Sequence, residues 1–291
     1  MEDEQVMEEE ENIEDKAEWF QKLVDKEGLL ESPINICLSI CTPLDLPSID
    51  WYYLDVIPKK VKLTNTGRTL LMSINYIHAR PFVSSGPFCG NFEFSQLHFH
   101  WGANDMKGSE HSADGVTYPL EMHVVYFRSM YVTHEAALRQ KDGVAVFVYL
   151  FKLQAAINPI MQLLVEAIPR VQKPRTSTRF KNIPLQFLLK KFQMDYFLYW
   201  GSVRTNAFIH FIFWLICREP IGITREQMEA FRMLLDNDEK PLLSNYRPIQ
   251  EKGKRRLFHV SSGTVKYATL LPISQESEEF CLQREITLTS E

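Results

Sequence analysis

The sequence predicts a β-dominated α+β fold, a sheet-rich domain with short peripheral helices. Three observations predict it. Turn signals recur at short intervals: Asn65-Thr66-Gly67, Ser85-Gly86-Pro87, Gly102-Ala103-Asn104-Asp105 and Lys141-Asp142-Gly143. The runs between them are rich in β-branched and aromatic residues, which suit a pleated surface. Only two segments look helical instead.

The elements follow in chain order. Residues 1–18 hold ten acids and one lysine, a local charge of −9. Such a segment cannot bury enough apolar area to order itself. It reads as a solvated, disordered acidic tail, with docking of a protein partner as its functional alternative. It lacks the apolar stretch of a signal peptide. Strands are expected at Phe92–Trp101, Glu121–Phe127, Val144–Leu150 and Phe208–Cys217. A helix is expected over Pro159–Ile168, with apolar residues at 160, 161, 163, 164 and 168. A second is expected over Thr224–Leu235, where Thr224 and Gln227 form a capping-box pattern. One domain therefore spans 19–260, and residues 261–291 form an extension whose order the pattern leaves open.

Composition narrows the function. The 291 residues carry a net charge of −5, so the chain outside the tail is only about +4. Nucleic-acid coating is not expected of such a surface. The longest apolar run, Ala207–Cys217, is interrupted by His210 and is too short to cross ~30 Å of hydrocarbon as a helix, so no membrane insertion is expected. Five cysteines, Cys37, Cys41, Cys89, Cys217 and Cys281, are odd in number and contain no CxxC pair. A reducing, cytoplasmic setting fits them best.

The chemistry concentrates in Gln96-Leu97-His98-Phe99-His100-Trp101-Gly102. Side chains alternate along a strand, so Gln96, His98 and His100 share one face. Their imidazoles, at i and i+2, sit on Cα atoms roughly 6.6 Å apart and can lean toward one ion. His123, on the next strong strand, supplies a third ligand, and Glu121 shares its face. A lone strand histidine is usually a packed or surface residue. An HxH pair joined by a histidine some twenty residues later, with Gln and Glu as orienters, is a far more specific pattern. Three histidines and no cysteine leave a fourth zinc position open, the catalytic arrangement.

These residues resemble the α-class carbonic anhydrases. Ser32-Pro33-Ile34-Asn35-Ile36 is similar to the family's SPI/V motif, and Gln96–Gly102 to its first metal strand. Gly108-Ser109-Glu110-His111-Ser112 is similar to its GSEH motif, and Glu121-Met122-His123 to the strand of the third ligand. Asp195-Tyr196, Tyr199 and Gly201-Ser202 follow DYxxYxGS, and Asn245-Tyr246-Arg247-Pro248 follows NxRP. The likeness covers about 19–258 in the family's order. It implies a large, mostly antiparallel twisted sheet with Zn2+ at the bottom of a conical cleft. It also implies a lyase that reversibly hydrates carbon dioxide to bicarbonate. By matching positions, His98, His100 and His123 are the zinc ligands, and Gln96 and Glu121 orient His98 and His123. Val125, Val146, Val203 and Trp214 match the apolar wall that receives carbon dioxide.

Two departures from the family pattern bear on activity. The family's proton-shuttle histidine follows an Asn-x-Gly turn; here Arg68 follows Asn65-Thr66-Gly67. Arginine stays protonated and cannot exchange a proton near pH 7. A plain solvated rim residue is its other assignment. The second departure is Arg204, at the place of the threonine that accepts a hydrogen bond from the zinc hydroxide and donates to a buried glutamate, here Glu110. Arginine is donor-only. Arg204 is expected to fold back onto Glu110, or else to turn into the cleft and bind an anion such as bicarbonate. Thr205, at the second threonine, offers a partial substitute. Asn206 and Ala207 replace two prolines, which makes the loop more adaptable. Lys26 and Phe208 stand where secreted members carry a disulfide.

Two functions follow. One is a zinc carbonic anhydrase of reduced turnover; the other is a catalytically silent relative that still holds zinc and binds a protein partner. A hydrolytic use of the same site, such as esterase activity, is a weaker third. His78, His134, His210 and His259 carry no motif and receive no role. His111 is expected to be a hydrogen-bonded structural residue.

Overall fold

The computed structural model describes residue 18, residues 21–205 and residues 208–261. The acidic tail therefore lies outside the described residues except for Glu18, which is helical and pairs with Lys22. The C-terminal extension lies outside them from residue 262, as do Asn206 and Ala207.

Among the described residues, 13 strands share one sheet. Its main path runs Thr176–Phe180, Lys60–Asn65, Leu70–Asn75, Phe92–Trp101, Leu120–Arg128, Val144–Leu153, Ile209–Cys217, Tyr196–Arg204, Phe258–Val260 and Thr42–Leu44. Neighbours on this path are antiparallel with two exceptions. Val144–Leu153 runs parallel to Ile209–Cys217, and Phe258–Val260 runs parallel to Thr42–Leu44. The expected mostly antiparallel sheet is thus observed. The four strands expected from the sequence appear at or within three residues of their expected ends.

Period-2 alternation divides the central strands between two cores. Leu120, Met122, Val124 and Tyr126 join Ala145, Phe147, Tyr149, Phe213 and Leu215 in the larger core. Val125, Val146, Val148, Ile212, Trp214 and Tyr199 point the other way, into a smaller apolar layer. Fully burying such a side chain is worth about 1.5–3 kcal/mol, so each strand has a strongly preferred face and register.

The histidine strand breaks this alternation once. Phe92 and Phe94 face the larger core, and so do Leu97, Phe99 and Trp101. The parity changes at a β-bulge between Phe94 and Gln96. Without that extra residue, Gln96, His98 and His100 would lie on the same face as Phe92 and Phe94. The bulge turns them toward the opposite layer, a common use of bulges beside functional sites.

The back of this strand is braced by the helix Arg225–Arg232. Thr224 caps it by accepting from the Gln227 backbone N–H, and the Gln227 side chain accepts in return from the Thr224 N–H. Its Phe231 packs on Phe99 and Trp101, with ring centroids 5.3 and 5.6 Å apart. The other expected helix forms over Pro159–Ala167, capped by Asn158 with proline in the first turn.

Candidate metal centre

His98 and His100 project from one strand and His123 from its antiparallel neighbour. The register pairs His98 directly with His123 and His100 with Glu121. Ring centroids are 5.0 Å apart for His98 and His100, 5.1 Å for His98 and His123, and 4.6 Å for His100 and His123. One nitrogen from each ring lies within 4.8 Å of the others, a group that could hold a metal ion.

Each outer ring nitrogen has an oxygen partner. His98 Nδ1 meets Gln96 Oε1 at 3.0 Å. His100 Nδ1 meets the Asn245 carbonyl at 3.2 Å and Glu110 Oε1 at 3.1 Å. His123 Nε2 meets Glu121 Oε1 at 2.5 Å. Carbonyl and carboxylate oxygens only accept, so these ring nitrogens carry the protons. In the neutral rings the lone pairs then sit on His98 Nε2, His100 Nε2 and His123 Nδ1. His100 Nε2 is buried with no protein partner. A buried ring nitrogen without a partner is costly, and a metal ion satisfies it. The donor set therefore fits a divalent zinc ion, for which imidazole is a usual ligand.

Electrostatics keep the rings in the form that binds metal. Burial, followed by the neighbouring imidazoles, holds His98 well below the ordinary histidine range. Burial likewise brings His100 down to about 4, against an opposing pull from Glu110. Both rings are neutral near pH 7.

Behind the rings, Glu121 holds three groups. Besides His123, it accepts from the His111 backbone N–H and from His111 Nδ1, each at 2.8 Å. His111 Nε2 continues to the Tyr199 hydroxyl at 2.7 Å. Both His111 nitrogens are thus engaged, in keeping with a structural role.

Glu110 has a different partner from the one the sequence suggested. The Arg247 guanidinium grips it with two N–H groups, Nε to Oε1 at 2.8 Å and Nη2 to Oε2, and the Arg247 backbone N–H adds a bond at 3.0 Å. Burial would raise the Glu110 carboxyl, but His100 and Arg247 outweigh it and hold it below the usual carboxylate range. With His100 neutral at pH 7, Arg247 is its counter-ion.

Arg204 neither reaches Glu110 nor turns into the cleft. Its Nε donates to Glu31 Oε1 at 2.6 Å, and its side chain is 62% exposed. The physical reason is register. The strand Tyr196–Arg204 stays paired through Arg204 opposite Ile209. Alternation then puts Val203 on the cleft face and Arg204 on the other. Glu31 waits there because its segment pairs alongside Ser202. Thr205 is exposed and closes the hairpin, accepting from the Phe208 N–H at 3.3 Å. Arg68 is exposed in its turn, while its carbonyl accepts from Asn245 Nδ2.

The histidines open onto a cavity of about 280 Å³. Val125, Val146, Val203 and Trp214 line it, as expected of the apolar wall. The sheet brings them together: Val125 pairs with Val146, Val146 with Trp214, and Val203 with His210. Among the described residues, none that lines the cavity carries a hydroxyl.

Three lining residues with ionisable side chains received no role from the sequence: Arg247, His134 and His210. His210 had a usable signal, since residues 210, 212 and 214 share a strand face with Trp214. Arg247 lay inside a quoted motif, but nothing in the sequence tied it to Glu110. His134 begins the four-residue helix His134–Ala137, and no periodicity marks it. His259 instead pairs with Asp195 away from the cavity.

A family model described as eukaryotic-type carbonic anhydrase matches residues 14–261. Carbonic anhydrase 7 of Mus musculus is 33% identical over 246 residues, covering 82% of this chain and 91% of the relative. Carbonic anhydrase 3 of Homo sapiens is 32% identical over 197 residues, covering 66% and 75%. Carbonic anhydrase 3 of Bos taurus is 30% identical over 242 residues, covering 81% and 92%. Among the described residues, no helix is long and apolar enough to cross a membrane.

Proposed function

The chain belongs to the eukaryotic-type carbonic anhydrase family, and from that premise we propose that it is a zinc lyase that reversibly hydrates carbon dioxide to bicarbonate with reduced turnover. The observation that carries this function is the set of three inward ring lone pairs, each fixed by an oxygen on the far side of its ring. His98, His100 and His123 are the zinc ligands. Gln96, the Asn245 carbonyl and Glu121 fix ring orientation and tautomer. When bound, zinc acts as a Lewis acid that lowers the pKa of a water ligand toward 7, a value established on enzymes of this family.

The remaining chemistry belongs to the chain's own side chains. Val125, Val146, Val203 and Trp214 offer an apolar wall to carbon dioxide, which has no net dipole. Glu110 is occupied by Arg247, Arg204 faces away, and no lining hydroxyl among the described residues can orient the attacking oxygen. A hydrogen bond to a charged group is worth ~1.5–3 kcal/mol. Its loss from the transition state alone slows the chemical step roughly tenfold to a hundredfold. Arg68 cannot relay a proton from the turn at the family's shuttle position.

The alternative is a catalytically silent, zinc-holding relative that binds a protein partner through its acidic tail or C-terminal extension. The outward Arg204 is the observation that favours it. Stopped-flow hydration on protein of measured zinc content separates the two. Slow but zinc-dependent hydration supports the enzyme, and none above the zinc-free protein supports the silent relative.

A further inference from the structure

The family's usual route for exporting the proton is closed here by Arg68, yet each hydration event releases one proton in the cavity. The cavity wall offers another acceptor. His134 and His210 both line it, one from the helix His134–Ala137 and the other from the strand Ile209–Cys217. Apart from the three clustered histidines, they are the lining residues among the described ones that carry an imidazole.

Their bonding suits a relay. His134 Nδ1 is buried and has no protein partner. Exchange with cavity water therefore falls to the other ring nitrogen of His134. His210 is oriented by its other neighbours. Its Nδ1 meets the Leu138 carbonyl at 3.3 Å, so Nδ1 carries the proton and Nε2 keeps a lone pair. That Nε2 lies 3.4 Å from the Thr205 hydroxyl, and Thr205 is exposed.

We propose that His134, with His210 beyond it at the exposed Thr205 edge, carries the proton out of this cavity. The inference rests on the carbonic anhydrase function above. In each cycle neutral His134 accepts one proton through cavity water and passes it to His210 or directly to bulk buffer. Both rings end the cycle neutral, so one proton leaves for each bicarbonate formed. Burial lowers the affinity of His134 for a proton, Glu135 beside it acts in the opposite sense, and a protonated His210 lowers it further. These opposing influences let His134 release what it accepts.

The test is 18O exchange between carbon dioxide and water on the zinc-loaded full chain. It reads two rates: interconversion of carbon dioxide and bicarbonate, and loss of label to bulk water, which requires a proton. In His134→Phe and in His134→Gln, label loss falls about tenfold or more while interconversion stays within twofold. Added imidazole restores label loss. Side-chain NMR of the metal-free protein gives a second readout: the His134 titration midpoint lies below that of a free imidazole and rises in His210→Gln. Label loss unchanged in both variants overturns the relay, as does a His134 midpoint that does not move in His210→Gln. Absence of interconversion in the wild-type zinc protein overturns the underlying function instead, and the relay with it.

Discussion

Arg204 is bound to Glu31, 2.6 Å from nitrogen to oxygen, on the face of its strand that points away from the three clustered histidines. The strand keeps its pairing through Arg204 and Ile209, so backbone register, rather than side-chain preference, sets this direction. Arg204→Thr alone should therefore leave its hydroxyl outside the cleft. Hydration kcat/KM is expected to change by less than about threefold, and stability by less than ~1 kcal/mol, the worth of an exposed ion pair. A large gain from Arg204→Thr alone, measured by stopped flow, would refute the register explanation.

Glu121 is the hub that positions His123 and His111. Glu121→Gln replaces one acceptor oxygen by a donor and forces a nitrogen toward ring N–H groups. Zinc affinity should fall about 10- to 100-fold, read by competition with a chromogenic chelator. The fold should persist by circular dichroism.

Arg247 neutralises a buried carboxylate. Arg247→Ala leaves Glu110 as an uncompensated buried charge, and about 3–5 kcal/mol of stability should be lost at pH 7. Urea denaturation measures this directly. Arg247→Lys should recover only part of it, because an ammonium cannot reproduce the two-pronged contact.

Acid should destabilise the metal-free protein in one direction from two sources. Glu110 has its folded value depressed, so its contribution is present above the unfolded value of about 4.3 and is lost as pH falls further. His98 and His100 are also depressed, the latter to about 4. The unfolded chain takes up their protons below about pH 6.5 while the folded chain does not, so stability again falls with pH. Unfolding free energy should be nearly flat from pH 8 to about 7 and decline from about pH 6.5 downward. A stability that rises on acidification through that window would contradict the neutral buried rings.

Much of the site could be read from residue spacing. The HxH pair, the third histidine and the two orienters sit where alternation and motif order put them. So does the apolar wall, because Val125, Val146 and Trp214 are cross-strand neighbours. The bulge between Phe94 and Gln96 could not be read, since Phe92-Glu93-Phe94-Ser95-Gln96 carries no glycine and alternates without a break. Nor could Arg204's direction, which depends on how far a ladder extends past Val203. Arg247 and Glu110 lie 137 positions apart and meet only because distant segments converge. His134 owes its place to a short helix after a turn, where no period constrains the side chain.

Zinc K-edge X-ray absorption on the zinc-loaded protein tests the central claim most directly. Three imidazole nitrogens and one oxygen at about 2.0–2.1 Å are predicted, with one nitrogen lost in His123→Ala. A zinc shell containing sulfur, or fewer than three imidazoles in the wild-type protein, would contradict it.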